Sequence, residues 1–317
     1  MEKQVFDEFL NRRQMLADTY SFISHRLRSD NSQKIHLGEG APLICRYCGK
    51  CEHQTKFKNE SHVIPIFIGN KTLIDKLECD ACNKKFSIYL EDGFSKYTLP
   101  YRAFSGIHAR GGMPKHKDKN ISARVGKDNV LDIQALTEDK SFYKQEGDSI
   151  ICSATRQPYY PSSIYKSFVK MALALMPEAD FKRCSYLLNY INREDYLFIF
   201  NNVILVETVI QGPVDPNSID YLLGRAKQIF ENEYFGYVLA IRFGNYQYQV
   251  ALPSDKDMSD GKVKSFVIAP PFISELHMSR YGIPSQENLE LSGNYIIKGD
   301  TCELAMKIVS EIVEHNV

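Results

Sequence analysis

The chain has no net charge, no long apolar run, no internal repeat and no low-complexity tract. Its 317 residues hold 39 Lys and Arg against 39 Asp and Glu. The longest apolar stretches, residues 196 to 206 and 169 to 176, fall short of the ~20 residues that cross a bilayer, so no membrane span is expected. Met1 to Leu10 mixes Glu2, Lys3, Asp7 and Glu8 with single apolar residues, unlike a secretory leader, and secretion is not expected. Eight cysteines occur partly as close pairs. That usage favours metal ligation in a reducing compartment over a disulfide framework, and the expected location is cytoplasmic. Residues 120 to 317 hold no phosphate-cradling glycine loop and no carboxylate pair of catalytic type.

With 44% hydrophobic and 25% charged residues, the chain can bury a substantial core and has room for two domains. The neutral total hides a polarity. Residues 42 to 119 carry 14 Lys and Arg against 8 Asp and Glu, near +6, whereas residues 120 to 317 carry 19 against 25, near −6. Phosphate backbones respond to clustered cations, so the first region is the one suited to nucleic acid.

The pattern predicts an amphipathic helix from Val5 to Arg28 and a polar linker from Ser29 to Pro42. Phe57 to Phe67 and Lys71 to Leu77 read as a β-hairpin turning at Gly69-Asn70, and a helix starts near Ala81 and fades at Leu99-Pro100. Farther on, strands are expected at residues 121 to 136, 149 to 153, 196 to 210, 237 to 243, 246 to 252 and 264 to 268. Helices are expected at 162 to 176, 180 to 191, 220 to 233 and 301 to 315.

Cys45/Cys48 and Cys79/Cys82 are two Cys-x-x-Cys knuckles about thirty residues apart. Such knuckles hold zinc tetrahedrally through four thiolates, and in so small a module the ion contributes roughly 10 to 16 kcal/mol of binding energy that is also folding energy. Cys51 is a competing ligand by position. Redox exchange is the other use of this motif, but it calls for a thioredoxin-like βαβ unit that the pattern does not contain. Cys152, Cys184 and Cys302 sit in apolar contexts and read as buried small hydrophobes.

Between the knuckles lies Ser61-His62-Val63-Ile64-Pro65, followed by Ile68-Gly69-Asn70-Lys71, and the second knuckle runs straight into Asn83. This order, over residues 43 to 95, resembles the zinc-stapled branch of the HNH, or ββα-metal, endonucleases. The resemblance implies an α+β fold: a small zinc-stapled ββα-metal, treble-clef-like nuclease module followed by a larger mixed α/β C-terminal domain. It also implies that His62 activates water and that Asn83 helps hold a catalytic divalent ion, magnesium or manganese. Many family members place aspartate where this chain has Ser61; Ser61, Glu60 and Glu91 are therefore the further candidate ligands of that ion, and Ser87 a weaker one.

The chemistry agrees with these roles. Phosphodiester hydrolysis needs an activated water, which a neutral imidazole supplies near pH 7, and charge neutralisation, which a hard cation with oxygen ligands supplies. The competing reading of Asn83 is a helix N-cap. His53, His108 and His116 lack partners in the sequence and read as structural. Lys71, Arg102 and Arg110 are the candidate nucleic-acid contacts. The last two belong to a basic stretch with Lys115, Lys117 and Lys119 that either follows a phosphate backbone or is a solvated loop.

The expected organisation is a helical extension and linker over residues 1 to 41, the zinc module over 42 to 119, and a C-terminal α+β domain over 120 to 317. The expected function is a metal-dependent endonuclease cutting DNA. Zinc-stapled HNH proteins with extra C-terminal domains resemble bacterial defence nucleases, in which that domain senses a ligand or partner or assembles copies of the chain. A catalytically silent zinc module that binds nucleic acid or protein is the alternative, and a thiol redox protein a third.

Overall fold

The computed structural model describes residues 2–26, 33–109, 111–138, 141–200 and 203–307. The chain opens with helix α1 (Glu2–Thr19), which ends earlier than its periodicity suggests and passes directly into strand β1 (Tyr20–Arg26). β1 pairs with a strand two hundred residues away, and long-range pairing of this kind overrides local helical spacing. The expected linker contains strand β2 (Ile35–Leu37).

The module itself is small. β2 pairs in parallel with β4 (Leu73–Asp75), which pairs antiparallel with β3 (Ser61–His62) to form the expected hairpin. Helix α2 (Asp80–Phe86) follows, then a π-helical turn (Ser87–Glu91) and α3 (Asp92–Phe104). The helix therefore runs past Pro100. Proline forfeits one backbone hydrogen bond there, but burial of Tyr97, Tyr101 and Ala103 beyond that cost holds the last turn.

Next come two three-stranded sheets. β5 (Lys115–Lys117), β6 (Ile121–Val125) and β7 (Leu131–Ala135) form one; β8 (Tyr143–Glu146) and β9 (Ser149–Thr155) form part of the other. Helix α4 (Pro161–Leu175) is buried at every position, including Lys166 and Lys170. Short helices α5 (Glu178–Phe181) and α6 (Ser185–Asn192) replace the single helix expected there.

A six-stranded antiparallel sheet completes the large domain, in the order β1, β11 (Ile219–Ala226), β12 (Tyr237–Phe243), β13 (Tyr246–Leu252), β10 (Ile204–Val209) and β14 (Ser285–Glu290). Helices α7 (Asp255–Asp260) and α8 (Glu275–Tyr281) lie in the chain between β13 and β14, and β15 (Thr301–Lys307) adds to β9.

Four expectations are corrected here. Residues 219 to 226 are strand rather than helix: seven of the eight are buried, so the period-two alternation that marks a strand is missing. Residues 301 to 307 are strand rather than helix, and the rest of that expected helix lies outside the described residues. The strand expected from Tyr196 begins only at Ile204. Ser265 makes a single bridge to Tyr234 in place of a strand.

One apolar core runs from Cys45 and Phe86 of the module through Phe168 of α4 to Tyr248 and Leu304. α4 reaches the module because α3 carries Gly93 at the crossing, where a Cβ would lie 1.8 Å from Ser163 Oγ. No helix among the described residues is long and apolar enough to cross a membrane.

Candidate metal centre and active site

The first knuckle is a tight turn in which Gly49 N–H donates to Cys45 O and Cys45 N–H to Lys50 O. The second knuckle opens α2, with Cys79 as the extended residue that caps the helix. Folding brings the ligand atoms of Cys45, Cys48, Cys79 and Cys82 within 4.8 Å of one another. Across the knuckles, Cys45 Sγ lies 3.8 Å from Cys82 Sγ and Cys48 Sγ 3.8 Å from Cys79 Sγ. Four sulfurs at zinc's bond length of about 2.3 Å on a tetrahedron stand about 3.8 Å apart, so the donor set fits zinc in both chemistry and spacing. Cys79 N–H points at Cys45 Sγ (3.5 Å). The Cys45 thiol is drawn down to about 4, first by its hydrogen bond with Cys82 and then by backbone N–H groups. Cys51 stands outside the cluster, its thiol donating to Gln54 Oε1. Cys152, Cys184 and Cys302 are buried, free thiols.

His62 sits on β3 opposite Ile74, half-buried, with its carbonyl accepting from Lys170 Nζ at 2.5 Å. Asn83 is the fourth residue of α2, also half-buried, and its N–H donates to Cys79 O. Cys79, not Asn83, is the N-cap. The segment entering β3 is stitched to the start of α2: Asp80 Oδ1 accepts from the N–H groups of Lys58 and Asn59, and Asp80 N–H donates to Lys56 O. The hairpin loop is tied by Asn70, whose amide donates to the carbonyls of Ile64 and Leu73 and accepts from the N–H groups of Thr72 and Leu73.

The other candidate ligands are placed differently. Ser61 is turned inward, its hydroxyl donating to Glu78 O at 3.5 Å. Glu60 is exposed and pairs with Lys34 at 2.5 Å, which holds its carboxyl below the usual glutamate range, with a smaller contribution from His62. Glu91 is 22% exposed, with Lys170 Nζ 3.9 Å from its Oε1. Behind the hairpin lies a buried charged group that the sequence did not flag. Lys170 Nζ pairs with Glu78 Oε2 at 3.0 Å. Burial pushes the Glu78 carboxyl up to about 7, against the pull of Lys170. Burial also raises Asp75, whose carboxylate accepts from Tyr47 Oη and Leu77 N–H.

Of the nucleic-acid candidates, Lys71 is exposed on the hairpin turn and Arg110 lies outside the described residues. Arg102 is 3% exposed; it donates to Phe67 O, Ser95 O, Ser95 Oγ and Thr98 Oγ1 and stacks over the Phe67 ring. It binds the module's own chain, and its expected phosphate contact is withdrawn. His116 is buried against Asp118, as a structural histidine should be.

Asn70 and Asp80 carried only turn and helix-start signals in the sequence. Lys166 and Lys170 sit off the apolar stripe of α4, and nothing local in the sequence reveals that other elements enclose that face.

The HNH endonuclease family model matches residues 45–99, which include both knuckles, His62 and Asn83. The chain carries an HNH module of endonuclease type, whose four-cysteine cluster could hold zinc, with an additional C-terminal domain. No curated protein and no solved structure matches the chain.

Proposed function

We propose that the protein is a metal-dependent endonuclease that hydrolyses phosphodiester bonds of DNA. The observation that carries this reading is that His62 on β3 and Asn83 on α2 both lie within the segment that matches the HNH family, where the four-sulfur cluster joins the first knuckle to the start of α2 and Asp80 holds the segment entering β3 to that same helix start. His62 is the general base: its imidazole takes a proton from water as the water oxygen bonds to phosphorus and the ester oxygen departs. Asn83 offers an amide oxygen held one residue past a zinc thiolate, and Glu91 a carboxylate two helical turns on, as ligands of magnesium or manganese. When bound, that ion supplies charge neutralisation at the scissile phosphate. Zinc is the scaffold. Lys71 on the hairpin turn is the phosphate contact, and the acidic C-terminal domain controls access or assembly, in keeping with a defence role against phage.

The test is cleavage of a supercoiled plasmid with magnesium or manganese. His62→Ala is expected to cost about 10²-fold or more in rate, and Asn83→Ala a comparable amount. Folded variants that cut like wild type would overturn the assignment. A second reading, a silent nucleic-acid-binding module, is favoured by the inward turn of Ser61 and the pairing of Glu60 with Lys34, which thin the acidic ligand set. It requires tight DNA binding by a wild-type chain that cuts with neither ion.

A further inference from the structure

We propose that Lys170, supplied by α4 from outside the matched segment, is a positioning residue for the nuclease site: it sets the main chain of His62 and so the aim of its imidazole. The inference rests on His62 acting as the base.

β3 is only two residues long, so the ladder restrains His62 weakly. Its pairing with Ile74 and the bond from Val63 N–H to Leu73 O are the backbone contacts on one side. On the other, Lys170 Nζ donates to the carbonyl of His62 itself at 2.5 Å. A charged donor makes the stronger kind of hydrogen bond, and this one fixes the peptide plane immediately after the catalytic Cα.

The ammonium is an expensive way to hold a carbonyl. Lys170 is 1% exposed on a helix buried at every position, where an apolar side chain would avoid a desolvation cost of several kcal/mol. Its partners show what that cost secures. Glu78 at 3.0 Å precedes the second knuckle, Glu91 at 3.9 Å ends the π-helical turn that continues α2 beyond Asn83, and Asp75 on β4 adds to the field that keeps Lys170 charged. One cation therefore touches the strand with the base, the approach to the second knuckle and the π-helical turn that carries Glu91.

The C-terminal end of the same helix is gripped by the first knuckle. Arg46, between Cys45 and Cys48, donates to Ala174 O and Met176 O and stacks on Phe181. Asn192 at the end of α6 donates to Tyr47 O and accepts from Lys85 Nζ. α4 is thus pinned to the module at both places that define the site's geometry, and the segment that matches the family lacks a part of its own active site.

The experiment uses the full chain as Lys170→Met and Lys170→Arg, with zinc content, thermal melting and DNA affinity measured beside single-turnover cleavage at saturating manganese. An error of about 1 Å at a reacting group costs on the order of 10²-fold. Lys170→Met is accordingly expected to keep its zinc and bind DNA as wild type does, yet cut about 10²-fold more slowly, with the loss in kcat and not in KM. Lys170→Arg, which retains a charged donor, is expected to recover part of the rate. Should Lys170→Met not fold, the charge-compensated pair Lys170→Met/Glu78→Gln takes its place, with the same expected loss. A folded, zinc-loaded variant cutting at the wild-type rate, or one whose rate falls only with its zinc content, overturns the role of Lys170 and leaves the nuclease reading standing. A wild-type chain that cuts with neither ion overturns both.

Discussion

Glu207, in the middle of β10, is 1% exposed, with Tyr97 Oη donating to its Oε2 and Arg156 lending positive potential. Burial outweighs these partners and pushes the carboxyl up to about 7. The folded state therefore holds a proton that the unfolded chain releases at lower pH. Stability from this group is full below its ordinary value of 4.5 and declines as pH rises through about 7. The shift corresponds to a loss of at most about 3 kcal/mol. Glu207→Gln is expected to lose less stability than the wild type between pH 5 and pH 8, the decline that remains coming from the buried Glu78 carboxyl; equal slopes in thermal melts would refute the argument. Arg102 and Lys71 make a second contrast between residues of like charge. Arg102→Ala is expected to lower the melting temperature while leaving the salt dependence of DNA binding unchanged. Lys71→Ala is expected to reduce that salt slope by about 1 with the melt unaltered. Titrations of labelled DNA at several salt concentrations measure both.

Among the elements, the crossing of α3 and α4 has the tightest tolerance. A Cβ at Gly93 would meet Ser163 Oγ at 1.8 Å, Ser163 Cβ at 3.0 Å and Tyr160 O at 3.3 Å. Gly93→Ala is expected to destabilise the fold by about 1 to 3 kcal/mol through overpacking, despite alanine's better helix propensity. Ser163→Ala, which removes the nearest of those atoms, is expected to return part of the loss in denaturant titration. Because α4 also bears Lys170, Gly93→Ala should slow cleavage in parallel. Elements were legible in the sequence where one face is apolar and the other is not, or where turn chemistry is explicit. The hairpin around Gly69-Asn70, the helix after Cys79 and α4 were all found in this way. β11 and β15 were missed for opposite reasons: β11 is buried on both faces, and β15 has a spacing that also suits a helix, so their identities depend on partners far along the chain.

For the molecule as a whole, the shared core decides how the parts fail. Module and C-terminal domain contribute to one apolar cluster, so a zinc ion held by the four cysteines would not be a local staple. Stripping it with a chelator is expected to remove on the order of 10 kcal/mol and to lower the melting temperature by on the order of 20 °C or more. Loss should come as one transition rather than as selective unfolding of the module. Calorimetry with and without chelator checks this, and two separate transitions would count against the coupling.

The four thiolates were readable from order and spacing, because thiolate knuckles are local in sequence and their chemistry allows few alternatives; the candidate catalytic pair followed from the resemblance to the HNH endonucleases. The burial of Lys170, the commitment of Arg102 and the strand at residues 219 to 226 were decided only when distant segments packed together. Burial and charge pairing are properties of an enclosed volume, and no stretch of chain encloses itself.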